Sequence, residues 1–233
     1  VLRDLCCKGH WGAAVIQRVA PRLVWYFDFV SPYAYLQFAA HPDLFARDDV
    51  TLSPVLFAAL LGHWGHKGPA ELPTKRVHTY RQIVFRAREL NVPLRFPPAH
   101  PFNPLHVLRL ALALGATREI VRTIFDFIWA EGRSPQVEWR ALCQRLGAVD
   151  DGAIANEEGV KARLRANTAQ AIAAGVFGVP TFAALRADGE GAELFWGEDA
   201  TAMLRAFLAD PALFATPEMQ RVSTLPEGAR RSG

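Results

Sequence analysis

Cysteine is scarce in this chain. Only Cys6, Cys7 and Cys143 occur among 233 residues. The first two are adjacent and the third stands in a helical pattern beside Leu142 and Leu146, so neither a disulfide framework nor a Cys/His zinc pattern is written in the spacing. That usage points to a reducing compartment. An excess of one charge is also missing: 26 Lys+Arg against 23 Asp+Glu leave a net +3. So small a bias argues against a nucleic-acid partner and suits an anionic small molecule. No apolar stretch reaches the roughly 18 residues of a membrane span, so no membrane partner is expected. The seven histidines (His10, His41, His63, His66, His78, His100 and His106) form no H-E-x-x-H pattern, and no metal is expected. Walker-type phosphate loops and the G-x-S-x-G nucleophile elbow are absent as well. Residues 1–21 lack the basic start, long apolar core and small-residue cleavage site of a signal peptide, so a cytoplasmic location is expected. That segment is treated as an N-terminal extension with little part in the fold.

What is present is an ordinary globular composition, 51% hydrophobic and 21% charged, with enough length for one domain carrying an insertion. Residues 23–29 form an aromatic, β-branched run of the kind that makes a buried strand. Ser31 then fits an N-cap and Pro32 the first helical position, with the helix running to about residue 46. A second strand is expected over 50–56. Helical patterns follow at 73–90, 104–114, 117–130, 138–147 and 157–174, interrupted by a proline-rich loop at 97–104. Strands return at 181–186 and 192–196 around an Asp188-Gly189 hairpin turn, and a last helix spans 198–209. From Ala215 the tail is polar and proline-punctuated, and is expected to be loose. The order β-α-β, helices, α-β-β-α predicts an α/β protein: a thioredoxin-like fold, residues 22–56 and 175–210, with an all-helical insertion over 57–174 and a C-terminal tail at 211–233.

The chemistry-bearing positions lie at the joints of that pattern. Ser31 sits where a strand meets a helix N-terminus, whose free N–H groups and dipole favour an anion, a thiolate included. Its hydroxyl can serve as a simple N-cap, as a hydrogen-bond donor to a bound thiolate, or as both. Val179-Pro180 puts a proline inside the strand-like run Gly178-Val179-Pro180-Thr181-Phe182. A trans proline opening an edge strand is one reading. With Ser31 ending the first strand, a cis bond is the expectation, exposing the Val179 backbone to an extended ligand. Glu198 and Asp199, after Trp196-Gly197, can complement the dipole of the last helix or bind a ligand's amino group, and Trp196 can wall that pocket or fill core. Tyr80, Arg81, Arg86 and Arg88 share a basic helix that is either a solvated face or the side of an anion pocket.

Three ordered motifs carry a resemblance: Phe27-Asp28-Phe29-Val30-Ser31-Pro32-Tyr33-Ala34-Tyr35-Leu36, Phe177-Gly178-Val179-Pro180-Thr181-Phe182 and Phe195-Trp196-Gly197-Glu198-Asp199. Across residues 23–210 the chain resembles the 2-hydroxychromene-2-carboxylate isomerase family, related to kappa-class glutathione transferases and the DsbA-like thioredoxin superfamily. The stretches Gly68–Arg76 and His100–Leu105 look familial too. The resemblance implies a glutathione-dependent isomerase acting on a small aromatic or electrophilic substrate, with a kappa-type transferase as the alternative. It carries thiolate stabilisation to Ser31, backbone contacts to Val179 and amine-end contacts to Glu198 and Asp199. It also implies a homodimer. Phe57, Trp64, Tyr80 and Phe102 are the candidate walls of an aromatic pocket above Ser31, with Arg81 or Arg88 meeting a carboxylate. The chain departs from the family at Gly65-His66, where Gly-Asn is common. Two rival readings are a disulfide oxidoreductase, for which Ser31-Pro32-Tyr33-Ala34 supplies no cysteine, and a non-catalytic thioredoxin-fold binding protein.

Overall fold

The computed structural model describes residues 21–186 and 191–229. The N-terminal extension and the Asp188-Gly189 turn lie outside these residues. Strand β1 (Leu23–Phe27) runs into helix α1 (Pro32–Ala40), a short α2 (Pro42–Phe45) and strand β2 (Val50–Pro54). The helical block follows as α3 (Phe57–Trp64), α4 (Pro73–Glu89), α5 (Leu105–Ala113), α6 (Arg118–Phe125), α7 (Trp139–Arg145) and α8 (Glu158–Ala173). Strands β3 (Thr181–Leu185) and β4 (Ala192–Trp196) and helices α9 (Thr201–Ala209) and α10 (Pro217–Ser223) complete the chain. The strands form one sheet in the order β2-β1-β3-β4, with β1 parallel to β2 and antiparallel to β3. The expected thioredoxin-like α/β fold is therefore present.

Strand β1 is buried on both faces, which explains its unbroken apolar sequence. Leu23, Trp25 and Phe27 point into the large core, while Tyr26 enters a smaller one with Val55, Leu60, Val176 and Val179. The large core runs from the sheet into the inserted helices without a seam. Phe125 of α6 lies 5.8 Å from Phe27 and 6.3 Å from Trp25, ring centre to ring centre. Truncating such a buried aromatic costs roughly 3–5 kcal/mol, so this shared packing anchors the block to the sheet.

Several boundaries differ from expectation. The first helix stops at Ala40 because Pro42 has no N–H to continue it, and α2 restarts there. Helix α3 was not expected; its eight residues are too few to show a clear period. Residues 126–130 form a π-helical turn at the end of α6, closed by the Glu131 N–H on the Asp126 carbonyl at 2.9 Å. The last helix begins at Thr201 rather than 198. The tail expected to be loose carries α10, which is exposed throughout.

Candidate functional site

The joint between β1 and α1 is built by groups from the inserted helices. The Asp28 carboxylate accepts the Val30 N–H at 3.0 Å through Oδ1 and the Phe57 N–H at 2.9 Å through Oδ2. It thereby ties the joint to the start of α3. Trp129 Nε1 donates to the Phe29 carbonyl at 2.9 Å, and His100 Nε2 to the Val30 carbonyl at 2.8 Å. A carbonyl can only accept, so Nε2 carries a proton. His100 Nδ1 faces the Tyr80 hydroxyl at 2.6 Å, and that hydroxyl also lies 2.8 Å from the His100 carbonyl. Burial pushes the His100 ring below its ordinary pKa, partly opposed by its bond to Val30. Burial also pushes Asp28 up to about 7, against the pull of its backbone N–H bonds.

This frame presents Ser31 at the mouth of α1. Its Oγ accepts the Ala34 N–H at 3.2 Å, so the capping role is present. The same Oγ is 3.5 Å from the Val179 carbonyl, at the outer limit of a hydrogen bond. Its proton can therefore turn to a better acceptor. The Val179-Pro180 bond is cis, as expected, and the Val179 N–H has no acceptor among the described residues. An unpaired backbone N–H thus belongs to the same residue whose carbonyl faces the hydroxyl. His100-Pro101 is a second cis bond.

The opposite side is the turn between β4 and α9. The Gly197 N–H donates to the Pro180 carbonyl at 2.8 Å, which joins this turn to the cis-proline. Trp196, half-exposed at 53%, stacks edge-on with Phe177 and lies over Gly178. A Cβ at Gly178 would fall 2.4 Å from Trp196 Nε1, so any larger residue would push the indole from its place. Glu198 does not open α9. It is 3% exposed, and its carboxylate takes Arg86 Nε at 2.8 Å and Nη2 at 3.1 Å, with His41 Nε2 at 3.6 Å. Burial raises the Glu198 pKa, and the neighbouring His41 and Arg86 more than reverse this, leaving it below the ordinary value. Asp199 is exposed. Burial raises the Tyr33 hydroxyl, helped by the negative charges of Asp199 and Glu198 nearby.

The remaining sequence candidates divide. Phe57 and Tyr80 are each one residue removed from the Ser31 joint, through Asp28 and His100. Trp64 is 42% exposed and donates Nε1 to the Val176 carbonyl at 2.9 Å. Phe102 is buried near the His100 and Trp129 rings. Arg81 and Arg88 line a groove of about 310 Å³ with Tyr80, Val84, Phe85 and Phe96, and Ser31 is not part of its lining. His63 ends in α3, while His66 lies beyond the helix, past Gly65. Among the described residues no group of three or more His, Cys, Asp or Glu could hold a metal, and no helix is long and apolar enough to cross a membrane.

Asp28, His100, Gln37 and Arg86 were not named as site residues from sequence. A carboxylate inside an aromatic strand end was a legible signal for Asp28. The partners of His100 and Arg86 lie 70 and 112 residues away, and no local pattern announces them.

Over most of its length the chain is similar to known proteins. Glutathione S-transferase kappa 2 of Caenorhabditis elegans is 24% identical over 205 residues, covering 80% of this chain and 91% of that protein. A 2-hydroxychromene-2-carboxylate isomerase of Pseudomonas sp. (strain C18) is 28% identical over 205 residues, covering 82% and 90%. A solved structure of 2-hydroxychromene-2-carboxylate isomerase superposes with a TM-score of 0.66 at 22% identity, covering 88% of this chain and 99% of that one. The model of the DSBA-like thioredoxin domain matches residues 22–209, most of the sequence, and the chain belongs to that family.

Proposed function

We propose that this protein is a glutathione-dependent isomerase of the 2-hydroxychromene-2-carboxylate isomerase type. The observation that carries the proposal is the Ser31 hydroxyl, set at a helix N-terminus 3.5 Å from the carbonyl of a cis-bonded Val179 whose N–H is unpaired. These groups fit glutathione. An extended cysteinyl residue can pair with the open N–H of Val179, which brings its sulfur toward Ser31 Oγ. The exposed carboxylate of Asp199 suits an ammonium group. The N–H groups of Glu198 and Asp199 have no acceptor among the described residues, and suit a carboxylate.

Bound glutathione would supply a thiolate able to add to a conjugated double bond, permit rotation about it and leave again. The chain's own part is electrostatic and positional. The Ser31 O–H donates to the sulfur while its Oγ keeps accepting the Ala34 N–H, so the hydroxyl is held in place by the helix it caps. The α1 dipole adds to the stabilisation of negative charge. No cysteine occurs at Ser31-Pro32-Tyr33-Ala34, so the turn has no thiol of its own for disulfide exchange. Phe57 and Tyr80 are the proposed first walls of the electrophile's site, since each is tied to the Ser31 joint. A kappa-type transferase is the second reading, favoured by the Caenorhabditis elegans relative.

Calorimetric titration with reduced glutathione tests the proposal, followed by product analysis with an aromatic electrophile. An isomer free of glutathione supports the isomerase, and a glutathione conjugate the transferase. No heat of binding at millimolar ligand would leave only the non-catalytic binding protein.

A further inference from the structure

Glu198 is a carboxylate almost sealed from solvent, yet it belongs to a turn that borders the candidate site. The Gly197 and Glu198 carbonyls of that turn are already paired. Gln37 Nε2 donates to the Gly197 carbonyl at 3.1 Å and to Thr201 Oγ1 at 3.0 Å. Thr201 donates to the Glu198 carbonyl from Oγ1 at 2.6 Å and from its N–H at 3.1 Å. Gln37 is itself fixed, because its Oε1 accepts Trp25 Nε1 at 2.7 Å from the buried strand β1. What the turn has left to offer is the Asp199 carboxylate and the two N–H groups of Glu198 and Asp199. Their direction depends on where the Glu198 side chain is held.

It is held from α4. The guanidinium of Arg86 grips both Glu198 oxygens, and its Nη1 donates to Glu89 Oε2 at 3.2 Å. Two edges of the fork are therefore occupied and its plane is fixed. Helix α4 is in turn seated by buried Ile83 and Ala87, on the side adjoining Arg86. A chain of contacts thus runs from α4 to the turn after β4, across 112 residues of sequence.

We propose that Arg86 is a positioning residue: it straps Glu198 to α4 and so aims the Asp199 carboxylate and the Glu198 and Asp199 N–H groups at the γ-glutamyl end of the ligand. This rests on the glutathione reading above and refines it. Glu198 is withdrawn from direct contact with the ligand's amine, because its oxygens belong to Arg86. Asp199 is left as the acceptor for that amine. Without Arg86 a buried carboxylate loses its counter-charge and moves outward, and the turn follows it.

The test compares two thiols that differ at one end, glutathione and cysteinylglycine, which lacks the γ-glutamyl group. Binding of each is titrated calorimetrically to the unaltered chain, to Arg86→Met and to the exchange variant Arg86→Glu/Glu198→Arg. Arg86→Met is expected to weaken glutathione roughly tenfold or more, the scale of one charge-assisted contact, and to leave cysteinylglycine within about twofold, because its contacts at Ser31 and Val179 are untouched. The exchange variant should recover most of the loss. Equal affinity for glutathione in Arg86→Met would overturn the proposal. So would an equal loss for both thiols, which would make Arg86 a general stabiliser of the fold. If the unaltered chain binds neither thiol, the glutathione reading falls separately, and amide exchange in ligand-free protein decides the strap. Faster exchange at Gly197 and Thr201 in Arg86→Met would support it, and unchanged exchange would overturn it.

Discussion

The two walls of the candidate site share neutral hydrogen bonds and differ in one force, an ion pair. The Ser31 wall is fixed by neutral and backbone contacts: the Val30 and Phe57 N–H groups on Asp28, Trp129 on Phe29, His100 on Val30. The Glu198 wall has its Gly197 and Glu198 carbonyls paired with Gln37 and Thr201, and adds an ion pair from its side chain to a guanidinium that is 36% exposed. A hydrogen-bonded wall buried under aromatic rings is little affected by salt, whereas a partly wet ion pair is screened. On the proposed reading, the thiol end of glutathione would meet the stiffer wall at Ser31 and its γ-glutamyl end the wall held by the ion pair. Both walls are tied to the helices between β2 and β3, through Phe57, His100 and Trp129 on one side and Arg86 on the other.

The largest expected break is Asp28→Ala. It strips the acceptor from two backbone N–H groups, each worth roughly 1–3 kcal/mol when left unpaired. Stability, read from urea unfolding, should fall by several kcal/mol at pH 5. The pH dependence has a definite sign. The folded-state pKa of Asp28 is raised to about 7 from 3.8, so its contribution is complete below about pH 4 and is lost as pH rises through 7. The gap between Asp28→Ala and the unaltered chain should therefore narrow from pH 5 to pH 8. A gap that stayed constant would mean that the carboxylate is ionised in the folded state throughout this range.

Next in size is Ser31→Ala, which touches only the stiff wall's functional group. One hydrogen bond to an ionised sulfur is worth roughly 1.5–3 kcal/mol, or about one to two pKa units. Thiolate absorbance of bound glutathione, followed against pH, should shift upward by that amount. Loss of the N-cap should lower stability by only about 1 kcal/mol. An unshifted thiol pKa would remove Ser31 from the proposed chemistry.

These contrasts also mark what the sequence made legible. The aromatic strand and the Ser31-Pro32 helix start could be read because strand periodicity and capping are local, and the cis-proline because Val179-Pro180 is taken together with Ser31 at the end of the first strand. The thioredoxin-like order followed from them. The Arg86–Glu198 pair was hidden for the opposite reason: each residue had a sufficient local explanation, as a solvated basic face and as a helix-dipole partner. Only the fold brings them within 2.8 Å. The pocket expected above Ser31 met the same limit. Arg81 and Arg88 carry the right chemistry, but their helix face turns them toward Phe85 and Phe96.

The charged wall should respond to acid in the opposite sense to Asp28. Glu198 has a folded-state pKa below its ordinary 4.5, so its contribution is present above that value and is lost as pH falls through the folded one. Glu198→Gln should be destabilised by about 1 kcal/mol at pH 7, given the screening of a partly exposed pair. Its difference from the unaltered chain should shrink below about pH 4. Raising salt at pH 7 should reduce this difference and leave that of Asp28→Ala nearly unchanged. Equal salt sensitivity would dissolve the distinction between the walls.

The smallest expected effect is Tyr80→Phe, which probes how far the stiff wall extends. The hydroxyl meets His100 Nδ1 at 2.6 Å, but Tyr80 also lines the open groove with Arg81 and Arg88. Water can therefore replace the lost oxygen, and the cost should stay at roughly 0.5–1 kcal/mol. His100 should keep its Nε2 proton, because the Val30 carbonyl at 2.8 Å fixes that tautomer without help from Tyr80. Nitrogen chemical shifts of the His100 ring report this directly. The same Nε2–H signature in both proteins, with glutathione affinity unchanged, would end the rigid wall at His100. A switch of tautomer, or a loss of affinity above about threefold, would carry it outward to the groove and make Tyr80 part of the frame that positions Ser31.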